Sequence, residues 1–211
     1  MRFYRISRRL LKLFMMIFFK FRIYGRENIP EPPYLAVSNH VSLLDPPLVG
    51  VACEKDNMIF MAKKELFDKP VLGAWTRSVG CIRVDRDGNS TKSIRTVLEC
   101  LNAGKAVSIF PEGERSTDGE LKEAKRGAGF IIAKAGVPVV PIYISGTMRA
   151  FPKGGRMRPG TEIKVFVGRP ITPEDPQIRT ASEKKDYTTI ANIVMERIAR
   201  AELDNEGARS A

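Results

Sequence analysis

Tyr34-Leu-Ala-Val-Ser-Asn-His40-Val-Ser-Leu-Leu-Asp45-Pro-Pro47 is the stretch on which the reading of this chain turns. Residues 34–37 are an apolar run of strand length. Asp45 precedes a proline, which disfavours helical geometry at Asp45, while Pro46 suits the first position of a helix. Asp45 is therefore expected to cap a helix over 46–53, and the residues between strand and helix to form a turn. That turn carries His40, the only histidine in 211 residues. Imidazole ordinarily titrates near pH ~6.5, so His40 is the natural candidate for a base near neutrality. Within one regular helix His40 and Asp45 would point about 140° apart. On a turn they can meet.

Outward from this unit, apolar runs of strand length alternate with segments of helical period. Strands are expected over 57–61, 81–84, 105–110, 137–144 and 161–167. Helices are expected over 70–79, from Asn89 or Ser90 to 102, over 127–135, and from 182 to 203, with Pro70, Gly80, Gly104 and Gly136 as start and stop signals. Alternation of this kind implies a single α/β domain with a mixed, mostly parallel sheet and helices on both faces. A 43% hydrophobic content over 211 residues is enough for one core, and no Pro/Gly/Ser-rich linker divides it. Cys53, Cys81 and Cys100 lack CxxC spacing and are odd in number. They fit reduced thiols better than a disulfide framework, and no His/Cys cluster exists to hold a metal.

The net charge of +11 requires an anionic partner, and its distribution narrows the choice. Residues 1–26 hold eight basic residues and no acidic one. On a helix, Arg2, Arg5, Arg8, Arg9, Lys12 and Lys20 share an arc of about 120°, opposite Ile6, Leu10, Leu11, Phe14, Ile17, Phe18 and Phe21. The apolar run 13–19 is far short of the ~20 residues that span a bilayer, and no small-residue cleavage site follows it. Residues 1–24 are therefore expected to be a basic amphipathic helix on an anionic membrane surface, with 25–211 as the globular domain. Packing of the helix on the domain's own core is the alternative. A nucleic-acid partner is not expected, because the charge concentrates on this helix and no RNA-binding aromatic signature or zinc finger is present.

Three loops after strands carry groups that chemistry uses, where open α/β sheets place their sites. The first holds Asn39, His40 and Asp45. The second, 80–86, holds Arg83, Asp85 and Arg86. The third is Phe110-Pro-Glu112-Gly113-Glu114-Arg115-Ser116. Each has a plain structural account when taken singly: a hydrogen-bonded histidine, a solvated ion-paired rim, an exposed turn.

In their order, these blocks resemble the glycerophospholipid acyltransferases of the 1-acylglycerol-3-phosphate acyltransferase (PlsC) type. Asn39, His40, Ser42 and Asp45 match the family's Asn-His-x-x-x-x-Asp block. Gly80 and Arg86 match its second block. Phe110, Pro111, Glu112, Gly113, Arg115 and Ser116 match Phe-Pro-Glu-Gly-Thr-Arg-Ser, with Glu114 in place of the usual threonine. Val140-Pro141-Ile142 and Lys125-Arg126-Gly127 also look like the family. The resemblance implies transfer of a fatty acyl group from an acyl carrier protein or coenzyme A thioester to the hydroxyl of a lysophospholipid acceptor, lysophosphatidate, with no cofactor and no metal. It implies that His40 is the general base, oriented by Asp45, and that no covalent acyl-enzyme forms. Arg115, Arg86 and Lys125 would bind the acceptor phosphate, Glu112 would orient an acceptor hydroxyl or an arginine, and Gly113 would shape the turn. Glu114 is expected to point to solvent or to pair with Lys122, because a second carboxylate at the phosphate site would repel it. The amino-terminal region is short for this family, so attachment is expected to be peripheral or monotopic, at the cytoplasmic face of the cell membrane. Glycerol 3-phosphate or another lysolipid remains open as acceptor.

Overall fold

A computed structural model describes residues 2–54, 57–78, 80–84 and 90–207. Helix α1 (Arg2–Phe18) leads into strand β1 (Lys20–Tyr24). Strand β2 (Leu35–Ser38) and helix α2 (Asp45–Ala52) flank the His40 turn. Strand β3 (Ile59–Lys63), helices α3 (Lys64–Phe67) and α4 (Pro70–Ser78) and strand β4 (Ile82–Val84) follow. Then come α5 (Ser90–Asn102), β5 (Val107–Ile109), α6 (Arg126–Ala135), β6 (Val139–Ser145), α7 (Thr147–Ala150) and β7 (Glu162–Val167). Helices α8 (Pro176–Glu183) and α9 (Tyr187–Gly207) close the chain.

The strands form one sheet in the order β1-β7-β6-β2-β5-β3-β4. From β6 to β4 all are parallel, while β7 runs antiparallel to β6 and β1 parallel to β7. This is the mixed, mostly parallel α/β sheet expected. Strand β2 sits at the centre and is buried throughout, as an apolar run in a parallel sheet must be. Alternate residues feed two cores. Tyr34 and Ala36 pack with Met15, Leu48 and Val49 under α1 and α2. Leu35 and Val37 pack with Val97, Ile131, Val194 and Ile198 under α5, α6 and α9. Gly129 lets α6 lie against α9, since a Cβ there would strike the Tyr187 carbonyl.

Two expectations are corrected. Residues 1–24 are not one helix: α1 ends at Phe18, and Lys20-Phe-Arg-Ile-Tyr24, which alternates with strand period, becomes the edge strand on β7. The helix expected from Ser182 is broken at Lys185, which takes φ 55°. Asp175 caps α8, accepting from the Gln177 and Ile178 amides. Asp186 caps α9, accepting from the Thr189 amide at 3.1 Å and the Thr189 hydroxyl at 2.7 Å.

The α1 helix has three faces rather than two. Tyr4, Leu11, Phe14 and Met15 pack into the core, and Lys12 and Arg26 both grip Glu54 at the end of α2, at 3.0 and 2.6 Å. Ile6, Leu10, Leu13 and Ile17 remain 55–66% exposed. They fall within about 60° of one another on the helix. Packing on the core and an exposed apolar facet thus coexist. No helix among the described residues is long and apolar enough to cross a membrane.

Candidate active site

The carboxyl ends of β2, β5 and β6 share one edge of the sheet, and the loops leaving β2 and β5 carry the site. The turn after β2 is fixed to its neighbour by Asn39, whose side-chain amide donates to the Ile144 carbonyl at 3.0 Å and accepts from the Ile144 amide at 2.8 Å. Chain reversal then brings His40 and Asp45 together, with Nδ1 2.9 Å from Oδ2. The same oxygen accepts from the Val41 amide at 2.7 Å and the Ser42 amide at 2.6 Å. Asp45 is fully buried and His40 17% exposed.

Asp45 therefore does not cap α2. It stands as the first residue of that helix, with Leu44 at the cap position, and its carboxylate reaches back to brace the turn before it. Because an ionised carboxylate only accepts, the pairing places a proton on Nδ1. Nε2 is then the ring nitrogen able to take a proton. The ring is held flat by Phe110, stacked at 4.3 Å between centroids and 27° between planes.

The Phe110–Ser116 loop grips the histidine's backbone from both sides. The His40 amide donates to Glu112 Oε1 at 2.8 Å, and the His40 carbonyl accepts from the Ser116 amide at 2.8 Å. Glu112 is 1% exposed, and its other oxygen accepts from the Lys122 amide at 3.4 Å. A carboxylate committed in this way braces the backbone of the His40 turn. Gly113 takes φ 73°, a left-handed geometry that a side chain resists, and a Cβ there would sit 3.2 Å from Lys125 Cγ.

A family model described as Acyltransferase matches residues 20–145, from the first strand through the sixth. The chain belongs to the acyltransferase family. It is 36% identical over 160 residues to a chloroplastic 1-acyl-sn-glycerol-3-phosphate acyltransferase of Brassica napus, covering 73% of this chain and 46% of that one. The chain thus spans about half the length of that plant relative. A 1-acyl-sn-glycerol-3-phosphate acyltransferase of Bacillus subtilis is 28% identical over 176 residues, covering 82% of this chain and 84% of its own. The crystal structure of the acyltransferase PlsC from Thermotoga maritima superposes with a TM-score of 0.76 at 26% identity, covering 95% of this chain and 79% of the other.

Of the residues expected to bind phosphate, Arg115 is half-buried and forms no ion pair among the described residues. Lys125 is exposed beside Gly113, its amide donating to the Pro111 carbonyl at 2.8 Å. Arg86 lies outside the described residues. Glu114 is 56% exposed and 3.8 Å from Lys122 Nζ, so the unusual carboxylate faces solvent as expected. The Cys81 thiol is pushed up to about 12 by burial, which denies it thiolate character near neutrality. Phe110 and the backbone role of Glu112 were not expected from the sequence. The family block that starts at Phe110 marks the position but not the stacking.

Burial raises the Glu112 carboxyl above the ordinary range, against the His40 and Lys122 amides that lower it. A raised native pKa means the folded chain holds that proton more tightly than the unfolded one. Its stabilising contribution is then largest below the unfolded value of about 4.3 and is lost as pH rises through the raised value. Glu112→Gln keeps an acceptor for the His40 amide and removes this titration. The stability of wild type relative to the variant should fall as pH rises above about 4.3, as read from Tm across a pH series. A rise would mean the carboxylate is favoured as an anion. Glu112→Ala leaves the buried His40 amide without its partner, a loss of roughly 1–3 kcal/mol.

Proposed function

We propose that this chain moves a fatty acyl group from an acyl carrier protein or coenzyme A thioester to the free hydroxyl of 1-acylglycerol 3-phosphate, giving phosphatidate. The observation that carries this reading is the 2.9 Å bond between His40 Nδ1 and the buried Asp45 carboxylate, which orients Nε2 as a proton acceptor. Nε2 takes the proton of the acceptor hydroxyl as its oxygen attacks the thioester carbonyl carbon. The C–S bond breaks, and the imidazolium returns that proton to the departing thiolate. Asp45 stabilises the imidazolium throughout, as a triad carboxylate does. Transfer is direct, with no acyl-enzyme.

The acceptor phosphate is assigned to Arg115 and Lys125, with Arg86 as a third group. Arg115 lies in the loop that grips His40, between Glu112 and Ser116, so the phosphate it binds would bring the acceptor hydroxyl to the ring. A guanidinium offers a forked contact that lysine cannot supply. Arg115→Lys is therefore expected to raise KM for lysophosphatidate about tenfold with kcat changed less than threefold. Initial rates across acceptor concentrations decide it, and an unchanged KM would remove Arg115 from the phosphate site. We assign α1 to the membrane interface, its cations toward anionic headgroups at the cytoplasmic face. The direct test of the whole reading is acyl transfer to lysophosphatidate with each donor in turn. Absence of product with both would refute it.

A further inference from the structure

We infer that residues 149–160 form a second bilayer-docking element, which together with α1 holds the mouth of the His40 site against an anionic membrane. The inference rests on the reading of α1 as an interface helix and extends it to a segment far away in sequence. From Gly146 to Thr161 the chain carries Arg149, Lys153, Arg156 and Arg158 and no acidic residue. All four are exposed, and none forms an ion pair among the described residues. Met157 stands between two of the arginines, 39% exposed. Cations flanking an exposed apolar side chain match a surface of anionic headgroups over hydrocarbon.

The segment is tied at both ends to the parts it would bring to the membrane. At one end the Phe151 carbonyl accepts from the Ser42 hydroxyl at 2.8 Å, in the turn that carries His40. At the other end the Gly160 amide donates to the Phe18 carbonyl at 2.7 Å, where α1 stops. Between these ties, residues 153–160 are all exposed. Of the ten exposed large apolar side chains among the described residues, six are on α1, one is Met157 and one is Leu43 in the His40 turn. Eight of ten thus lie on elements that these two hydrogen bonds join. A helix alone would leave the domain free to rotate about its axis at the interface. A second contact, hydrogen-bonded both to the end of α1 and to the His40 turn, limits that rotation.

The test is vesicle co-sedimentation of the full chain, with phosphatidylcholine vesicles and with vesicles that also contain phosphatidylglycerol. The triple variant Lys153→Gln, Arg156→Gln, Arg158→Gln should bind the anionic vesicles about 10–100-fold more weakly, with Tm unchanged. Met157→Asp should weaken binding to both kinds of vesicle, while Met157→Leu should not. Vesicle affinity is read without substrate, so its outcome is separate from whether acyl transfer occurs. Transfer to lysophosphatidate in detergent micelles should be equal for the triple variant and wild type. Wild-type vesicle affinity in the triple variant would overturn the inference. So would unchanged vesicle affinity with slowed transfer from a carrier-protein donor, which would assign the segment to an acidic protein instead.

Discussion

His40→Ala is expected to lower kcat for acyl transfer by about 10²–10⁴-fold, to the limit set by positioning alone. The fold should survive, because the residues His40 leaves behind keep their partners. Asp45 Oδ2 still accepts from the Val41 and Ser42 amides. The backbone bonds from His40 to Glu112 and from Ser116 to His40 do not involve the ring. What is lost is the Nδ1 bond and the stack on Phe110, together on the order of 1–2 kcal/mol. For a chain of this size that is a Tm shift of roughly 2–8 °C. Kinetics and a thermal melt on one preparation separate the effects. Full activity in the variant would end the general-base mechanism, and a chain that fails to fold would show the imidazole to be structural.

The sequence carried much of this fold because strands and helices here announce themselves locally. The apolar runs at 34–37 and 137–144 are strands β2 and β6 to within two residues. Pro70 begins α4, and Gly136 closes α6 in left-handed geometry. The errors come where two elements share one continuous pattern. Lys20-Phe-Arg-Ile-Tyr24 extends the apolar and basic faces of α1 closely enough to be read as helix, yet it alternates and pairs with β7. The helix expected over 182–203 joins the end of α8 to α9, which left-handed Lys185 and the Asp186 cap keep apart, and it misses the start of α8, which Asp175 caps.

The site divides along the same line. Asp45 lies five residues from His40, so their meeting on a turn could be reasoned out. Glu112 lies 72 residues from His40 and Ile144 lies 105 from Asn39, and contacts of that range leave no period in a sequence. A proline-glycine turn bearing a carboxylate looks like an exposed substrate-binding loop. Here tertiary packing buries the carboxylate and turns it to the histidine's own backbone. The local signal at Asp45-Pro46 similarly favours a helix cap, but the turn's two amides, which would otherwise be buried without acceptors, draw the side chain away from the helix.

That placement gives Asp45 two separable duties, and two substitutions should divide them. Asparagine keeps one oxygen where Oδ2 stands, so the Val41 and Ser42 amides retain an acceptor and the turn should hold. It lacks the charge that stabilises the imidazolium and fixes its tautomer, and the comparable change in a serine-protease triad costs about 10⁴-fold in kcat. Asp45→Asn is therefore expected to fold with a Tm near wild type and to lose about 10²–10⁴-fold in kcat, with KM for both substrates little changed. Alanine removes the acceptor altogether. Two amides in a fully buried setting then lack partners, at roughly 1–3 kcal/mol each, and Tm should fall by roughly 5–20 °C. If asparagine unfolds the chain as alanine does, the charge itself holds the turn. If asparagine leaves the rate intact, Asp45 is a brace for the backbone alone, and His40 acts without it.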